Sequence, residues 1–247
     1  MNEIDLSVIA DTQHQRLLAG LLAELEHEDG VTGILLAGSL ARGDAVPSSD
    51  VDLIVLIADG RATEFRSERR GGILVERTYT DEATASRQLT EQPMRVYTYL
   101  DGRILMDRAG GLARLVLLAR QQLGAYRTSL PEREAIAYWL RSALGKIQAA
   151  QDAGDELKAA YWTSTTAWKL LEGLWAARDR PMPPGGAVWA HLSDLDGVTP
   201  EVSERLHTLF LGSTPELVAA MVALIGETLP LLDERTASPL PVRMRET

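Results

Sequence analysis

The segment from Gly38 to Asp52 constrains this chain more than any other part of its sequence. Gly38-Ser39 ends an apolar run, ten residues follow, and Asp50 and Asp52 then open a second apolar run at 53–57. Both runs are typical of buried β-strands. Side chains two residues apart in a strand point to the same face, so we expect the two carboxylates to lie side by side at a strand end.

These paired acids predict a cation between them. Two neighbouring carboxylates repel each other, and Mg²⁺ is often held by one or two carboxylates together with substrate phosphates. A glycine lets a ligand approach the backbone, and the amides and hydroxyl of a turn suit phosphate oxygens. We therefore predict Mg²⁺ at Asp50 and Asp52, and phosphate contacts at Gly38, Ser39 and Arg42.

Each of these residues also has a purely structural interpretation. Asp50 and Asp52 can be solvated acids at a strand end, and Arg42 can be a surface cation. Ser39 can cap a helix, a role that uses the same geometry as a phosphate contact. We interpret Asp44 as a turn residue.

The pattern of Gly-Ser, ten residues and Asp-x-Asp resembles the signature of the nucleotidyltransferase superfamily related to DNA polymerase β. The Ala-Arg-Gly at 41–43 is the form that many minimal and antibiotic-modifying members show. The resemblance implies that Asp50 and Asp52 hold Mg²⁺ against a nucleoside triphosphate. The metal then screens the phosphate charge and orients the α-phosphate for attack.

Glu76 is the main candidate outside this segment. It interrupts an apolar strand pattern at 73–75, where a charged side chain needs a reason. The resemblance implies a third carboxylate on a later strand, often a Glu that takes the proton from the acceptor hydroxyl. The alternative is a surface acid of an edge strand, paired with Arg77 or Arg95. Whether Glu76 is a metal ligand, a general base or both stays open.

Composition narrows the class of protein. The 247 residues are 45% hydrophobic and 24% charged, as in ordinary globular proteins. The absence of cysteine excludes disulfides and thiolate nucleophiles. A net charge of -10 argues against nucleic-acid binding and favours small or cationic partners. We see no signal-peptide pattern and no apolar run near the length of a membrane span, so we expect a cytoplasmic protein with no membrane partner.

The first half of the chain reads as alternating helices and strands. A helix is expected from Asp11 or Thr12 to about Asp29. Strands are expected at 31–37, 50–57 and 73–80, a further helix at 81–91, and a short helix or loop at 61–70. Asp101-Gly102 predicts a hairpin that joins strands at 95–100 and 103–106.

From Leu112 onward the strand signals vanish. Helices are expected at 112–123, 132–153, 156–178, 187–193, 200–211 and 215–232. We predict an α+β fold with a mixed-sheet catalytic domain at 1–110, an all-α helical bundle at 111–234 and a loose tail at 235–247. This arrangement resembles the aminoglycoside and lincosamide nucleotidyltransferases, by motif for 31–107 and by architecture alone for 112–232.

The resemblance also implies a cation from the helical half that contacts the nucleotide phosphates. Lys169 is the candidate, and a solvated helical lysine is the alternative. Aromatic side chains cluster on the same predicted helix, at Tyr161, Trp162, Trp168 and Trp175. Such residues are usually core, with ligand stacking as the alternative. The four histidines show no metal-ligand spacing, and we treat them as structural or surface residues.

The expected activity is transfer of a nucleoside monophosphate, AMP from ATP, to a hydroxyl of a small molecule, with release of pyrophosphate. An acceptor like an aminoglycoside or a lincosamide, and hence antibiotic resistance, is the natural expectation. Two alternatives stay open: a protein AMP-transferase of the toxin–antitoxin type, and an inactive nucleotide-binding module. The nucleotide preference, the acceptor and the oligomeric state are not fixed by the sequence.

Overall fold

The structure is a computed structural model that describes residues 9, 11–58 and 63–234. The predicted tail at 235–247 and the first two residues of the helix or loop expected at 61–70 lie outside these residues. Contacts divide the chain into two units, Met1–Ala125 with Pro183–Trp189, and Tyr126–Met182 with Ala190–Thr247.

The first unit is built on a mixed five-stranded sheet. Its strands are β1 (Val31–Ala37), β2 (Val51–Ile57), β3 (Glu64–Arg70), β4 (Ile73–Thr80) and β5 (Arg103–Asp107), in the order β3-β4-β2-β1-β5. Strands β2 and β4 pair in parallel and the other neighbours are antiparallel. The α+β class and the predicted strands at 31–37 and 73–80 are confirmed.

Helices cover both faces of this sheet. They are α1 (Thr12–Glu26), α2 (Gly38–Arg42), α3 (Glu82–Glu91), α4 (Val96–Leu100) and α5 (Gly111–Ala125). Helix α1, capped by Asp11, packs with Ile34 and Val55 on one face, and α3, α4 and α5 pack with Leu35 and Leu56 on the other. By contacts α5 belongs to the first unit, and the division into folding domains near residue 110 stays a prediction.

The segment at 61–70 was expected to be a helix or loop, and this expectation is wrong from Glu64 onward. Residues 64–70 form the edge strand β3, joined to β4 by Gly71-Gly72. Both glycines have positive φ, +58° and +87°, as a two-residue hairpin turn requires. Residues 64–70 form a strand without an apolar face, because β3 takes its hydrogen bonds from β4 and its arginines pair with acids on β3 and on helix α1. Arg70 Nη1, for example, lies 2.7 Å from Glu24 Oε1.

The hairpin expected around Asp101-Gly102 is also wrong. A 3₁₀ turn at Pro93–Arg95 leads into α4, and β5 pairs with β1. The helix forms instead of a strand because of burial. As neighbours on α4, three side chains lie in the core beneath α5: Val96, Tyr97 and Tyr99. A β-hairpin would alternate their faces and expose part of this set.

The second unit is helical among its described residues. It contains α6 (Leu130–Asp152), α7 (Glu156–Ala176), α8 (Pro200–Leu211) and α9 (Thr214–Glu234). Helices α6, α7 and α9 pack against one another, and α8 packs on α9. The helix expected at 187–193 is wrong, because residues 185–187 and 192–194 form two 3₁₀ turns instead.

Helix α9 is long and apolar enough to cross a membrane, judged by length and composition alone. The expectation that no segment approaches that length is therefore wrong. Within the second unit α9 buries Met221, Leu224 and Ile225 against its neighbours, and core helices meet the same criterion. Localisation in the cytoplasm stays a prediction.

Candidate active site

Three acids meet at one end of the sheet. Asp52 lies on β2, Asp50 immediately precedes that strand, and Glu76 lies directly beside Asp52 in the parallel register of β4. One carboxylate oxygen from each of the three lies within 4.8 Å of the other two. A parallel pair places adjacent residues on the same face, so the pairing of β2 with β4 creates this cluster from positions 24 residues apart.

The cluster carries more negative charge than its surroundings balance. Burial, with repulsion from Asp50 and Glu76, raises the pKa of the Asp52 carboxyl to about 6, and Arg42 opposes this only in part. All three side chains are partly buried, so they remain reachable from solvent. Three oxygen donors that repel one another are the donor set that a hard divalent cation takes, and the site fits such a cation.

Gly38 occupies a position that only glycine fits. It follows β1 and begins α2, with φ +68°. Ala37 pairs with Asp52 across the sheet, and a Cβ at position 38 would overlap the Asp52 carboxylate. The glycine therefore leaves the space in which the carboxylate lies against the backbone.

Arg42 points into the same region from the end of α2. Its Nη2 donates to Gly186 O at 3.1 Å, its Nε donates to Asp44 Oδ2 at 3.2 Å, and Nη1 lies 4.0 Å from Asp101 Oδ2. The Arg42 side chain is 14% exposed. Asp44, expected to be a turn residue, thus also anchors this arginine.

Ser39 is not a helix N-cap. Helix α2 begins at Gly38 with Ala37 as its cap, and no side chain caps it. Ser39 lies inside the helix, where its carbonyl accepts the amides of Gly43 and Asp44. A phosphate contact by its hydroxyl stays a prediction.

The loop before Asp50 is held by a buried histidine. His14, 1% exposed, lies with Nε2 2.8 Å from Ser49 O, and its Nδ1 lies 3.1 Å from Asp11 Oδ1. This connection fixes the residue that precedes Asp50 to helix α1. The prediction that the histidines are structural or surface residues fits His14.

A cleft of about 280 Å³ opens beside the acids. Its walls include Gly38, Arg42, Asp52 and Glu76, which the sequence singled out, and Phe65, Thr78, Arg95, Tyr97 and Asp101, which it did not. Phe65 is 60% exposed although it is a large apolar side chain. It was missed because it lies on β3, and the Gly-Gly hairpin signal at 71–72 could have revealed that strand.

Glu76 is not an acid of an edge strand, as the alternative interpretation required. Strand β4 lies between β3 and β2, and Arg77 pairs with Glu68 rather than with Glu76. The roles of Glu76 as ligand, base or both stay predictions.

Lys169 lies on α7 in the second unit. Its ammonium pairs with Glu172 on the next turn of the helix. Its predicted contact with nucleotide phosphates stays a prediction.

The chain was compared with protein families, curated proteins and solved structures. Residues 18–95 match the nucleotidyltransferase domain family. The chain is similar in structure to a nucleotidyltransferase-like protein from Exiguobacterium sibiricum, with 15% identity, 90% of this chain and 75% of the other covered, and a TM-score of 0.42. No significant match was found among curated proteins. All three clustered acids lie within the residues that match this domain family.

Proposed function

We propose that the first unit transfers a nucleoside monophosphate, AMP from ATP, to a hydroxyl of a small molecule and releases pyrophosphate. The observation that carries this proposal is the cluster of Asp50, Asp52 and Glu76 beside the backbone of Gly38, within the matched domain. One active centre needs carboxylates for a divalent cation and space for phosphates, and this end of the sheet offers both.

Asp50 and Asp52 would hold the divalent cation, Mg²⁺ in the proposal. When bound, the cation screens the triphosphate charge and polarises the α-phosphate. Gly38 lines the cleft and lets the Asp52 carboxylate lie against the backbone, and Arg42 supplies positive charge at the cleft wall. Because Arg42 already contacts Asp44 and Asp101, a triphosphate would compete with these acids for the guanidinium.

Glu76 would act as general base. It would accept the proton of the acceptor hydroxyl while the acceptor oxygen forms a bond to the α-phosphorus. The bond between that phosphorus and the bridging oxygen breaks, and pyrophosphate takes up its electron pair. Glu76 suits this role because its side chain lines the cleft and is partly buried beside Asp52.

The cleft favours a cationic acceptor. Among the described residues, Asp52, Glu76 and Asp101 line it with only Arg42 and Arg95 as cations, and the chain carries a net charge of -10. An aminoglycoside-like compound combines amines with hydroxyl groups and fits this charge pattern, and a lincosamide carries one amine. Antibiotic modification is the form of the activity that we propose.

The test traces a label placed on either the α- or the γ-phosphate of ATP. The protein is incubated with Mg²⁺, a panel of aminoglycosides and lincosamides, and ATP labelled at the α- or the γ-phosphate. We expect α-label on one acceptor and γ-label in pyrophosphate, and neither with the Asp52→Asn variant. Transfer of γ-label to the acceptor, or no pyrophosphate with any acceptor, would refute the proposal. Label on a protein in a lysate would instead support the AMP-transferase alternative.

A second variant separates the two roles of Glu76. If Glu76 is the base, Glu76→Gln lowers kcat by about 10² to 10⁴-fold, since a positioned base contributes about that much. Metal-dependent ATP binding then stays within a few-fold of wild type. Loss of ATP binding in this variant would assign Glu76 as a metal ligand, and Glu76→Asp is the control that keeps the charge.

A further inference from the structure

The second unit contains a groove whose chemistry differs from that of the cleft. It has a volume of about 360 Å³, within the range of small-molecule sites. Helix α6 contributes Trp139, Ser142, Ala143 and Lys146, and α7 contributes Tyr161, Trp162, Thr165, Thr166 and Lys169. No acidic residue lines it among the described residues, although acids outnumber bases by ten in the chain.

Lysines are concentrated at this groove. The chain has only three, Lys146, Lys158 and Lys169, and the other 22 of its 25 basic residues are arginines. Lys158 pairs with Asp155 and Lys169 with Glu172. The Lys146 ammonium lies 4.2 Å from the centre of the Trp162 ring, and within the described chain no carboxylate pairs with it. Lys146 is therefore a cation available to an anionic ligand.

Trp139 offers a ring in the same groove. Its side chain is 58% exposed, although burying an indole is strongly favourable. Within the described residues, Tyr161 and Trp162 contact each other at 5.1 Å and Lys146 covers Trp162, but neither a ring nor a cation contacts Trp139. The Trp139 face can therefore stack on a planar ligand.

The spacing along α6 fixes the kind of ligand that can use both groups. Trp139 and Lys146 are two helical turns apart on one face, a separation of about 10 Å along the axis. Between them lie Ser142 and Ala143, small side chains that leave the groove floor open. A ligand that uses both ends needs a planar ring and an anion joined by a short polar linker.

The antiparallel run of α7 supports the same assignment. Lys146 and Trp162 are equally far in sequence from the connection at Gly154, and so are Trp139 and Lys169. The contact between Lys146 and Trp162 therefore places Lys169 at the level of Trp139. Thr165 and Thr166 line the middle of the groove opposite Ser142 and Ala143.

We propose that this groove is a binding site for a nucleoside monophosphate, with the base stacked on Trp139 and the phosphate at Lys146. The base supplies the ring, the ribose supplies the hydroxylated linker, and the phosphate supplies an anion suited to a compact ammonium donor. The site lies wholly in the second unit and needs no metal ion. It is additional to the proposed transfer reaction and does not depend on it.

The test measures AMP binding in EDTA, in the full chain carrying Asp52→Asn, so that the first unit has neither its metal nor its complete acid cluster. We expect AMP to bind at one site per chain by equilibrium dialysis and to quench tryptophan fluorescence. Trp139→Leu and Lys146→Gln should each weaken binding by about tenfold or more, as loss of a base stack or phosphate contact does. Lys146→Arg should restore most of the affinity by keeping the charge.

Matched controls separate the groove from the general surface. Trp168→Leu removes a tryptophan of α7 that is 50% exposed and lies outside the groove, and Lys158→Gln removes the third lysine. Both should bind AMP like wild type. Equal loss in these controls, or unchanged binding in Trp139→Leu and Lys146→Gln, would overturn the proposal.

Probe compounds test the ligand class. Adenosine lacks the anion and ribose 5-phosphate lacks the ring, so each should bind at least about tenfold more weakly than AMP. If ribose 5-phosphate bound as tightly as AMP, stacking on Trp139 would have no role in binding. Tighter binding of phosphotyrosine than of AMP would overturn the assignment to a nucleoside.

Discussion

The acid cluster of the first unit carries unbalanced negative charge, whereas the charges of the buried ion pair in the second unit balance each other. Asp50, Asp52 and Glu76 are held together with an incomplete cationic balance, and burial together with this repulsion raises the pKa of Asp52 to about 6. In the second unit the buried Arg133 pairs directly with Asp179. A buried charge is tolerated in a fold when an opposite charge pairs with it, whereas concentrated charge of one sign is unfavourable unless a ligand supplies the other sign. The difference distinguishes a site from a structural contact.

The largest expected effect concerns activity. Replacing Asp50 by Asn removes one of the proposed metal ligands, and a metal's contribution of several kcal/mol corresponds to a loss of nucleotidyl transfer on the order of 10³-fold. Pyrophosphate release measures it. Glu68→Gln is the matched control, since Glu68 neighbours Ser67 on β3 but points to the opposite face of the sheet from Glu76. A similar loss in both variants would mean that the cluster has no special role.

The next effect concerns stability in the second unit. Asp179→Ala leaves the buried Arg133 without its main carboxylate, and we expect the free energy of unfolding to fall by about 3 to 5 kcal/mol. Arg205→Gln breaks the exposed pair with Glu227 and should cost about 0.5 kcal/mol or less. Urea denaturation measures both. Equal effects would remove the contrast between a buried pair and a surface pair.

Substitutions at two glycines distinguish the effect of backbone strain from the effect of a changed site geometry. Gly38→Ala adds a methyl group that overlaps the Asp52 carboxylate and must adopt φ +68°, so we expect about 2 to 3 kcal/mol of destabilisation and loss of most transfer activity. Gly43→Ala has φ +89° but no atom within 4 Å of the new methyl, so it should lose about 1 kcal/mol and keep activity.

For both glycine variants, denaturation curves measure stability and pyrophosphate release measures activity, on the same samples. If Gly43→Ala lost activity as fully as Gly38→Ala, left-handed strain alone would explain the effect. The space beside Asp52 would then not be what matters.

The smallest effect is a pH dependence of stability in the metal-free protein. Below pH 3.8, the ordinary pKa of Asp52, both states carry its proton. Between pH 3.8 and about 6 the unfolded state releases the proton first, so the free energy of unfolding falls as pH rises. Because the carboxyl is only partly buried, solvent screening limits the change to about 1 kcal/mol. Denaturation in EDTA at pH 4 and pH 8 should show this difference in wild type and less of it in Asp52→Asn.

The sequence predicted the helical unit more completely than the sheet. Helix α8 has the predicted bounds at 200–211, and α6, α7 and α9 agree within about two residues at each end, because apolar spacing and proline positions are local signals. Strand β3 and helix α4 were missed because they depend on contacts with elements outside their own segments. β3 depends on β4 for its hydrogen bonds, and α4 depends on α5 for burial of Tyr97 and Tyr99.

The residues of the candidate site also differ in how far the sequence could predict them. Gly38, Asp50 and Asp52 belong to one continuous segment, so spacing alone could bring them together. Glu76 was found because a charge interrupts an apolar run, but its position beside Asp52 follows from the parallel pairing of β2 with β4. Phe65 and Asp101 carry no local signal of function, and they reach the cleft only through the fold.

The most direct test of the central claim is a metal titration of the acid cluster. Mn²⁺ binding, followed by electron paramagnetic resonance with a non-hydrolysable ATP analogue present, should saturate in wild type and weaken by at least about tenfold in Asp52→Asn. Glu68→Gln should bind like wild type. Equal Mn²⁺ affinity in wild type and Asp52→Asn, in the presence of the analogue, would contradict the claim that Asp50, Asp52 and Glu76 form a metal-dependent nucleotidyl-transfer centre.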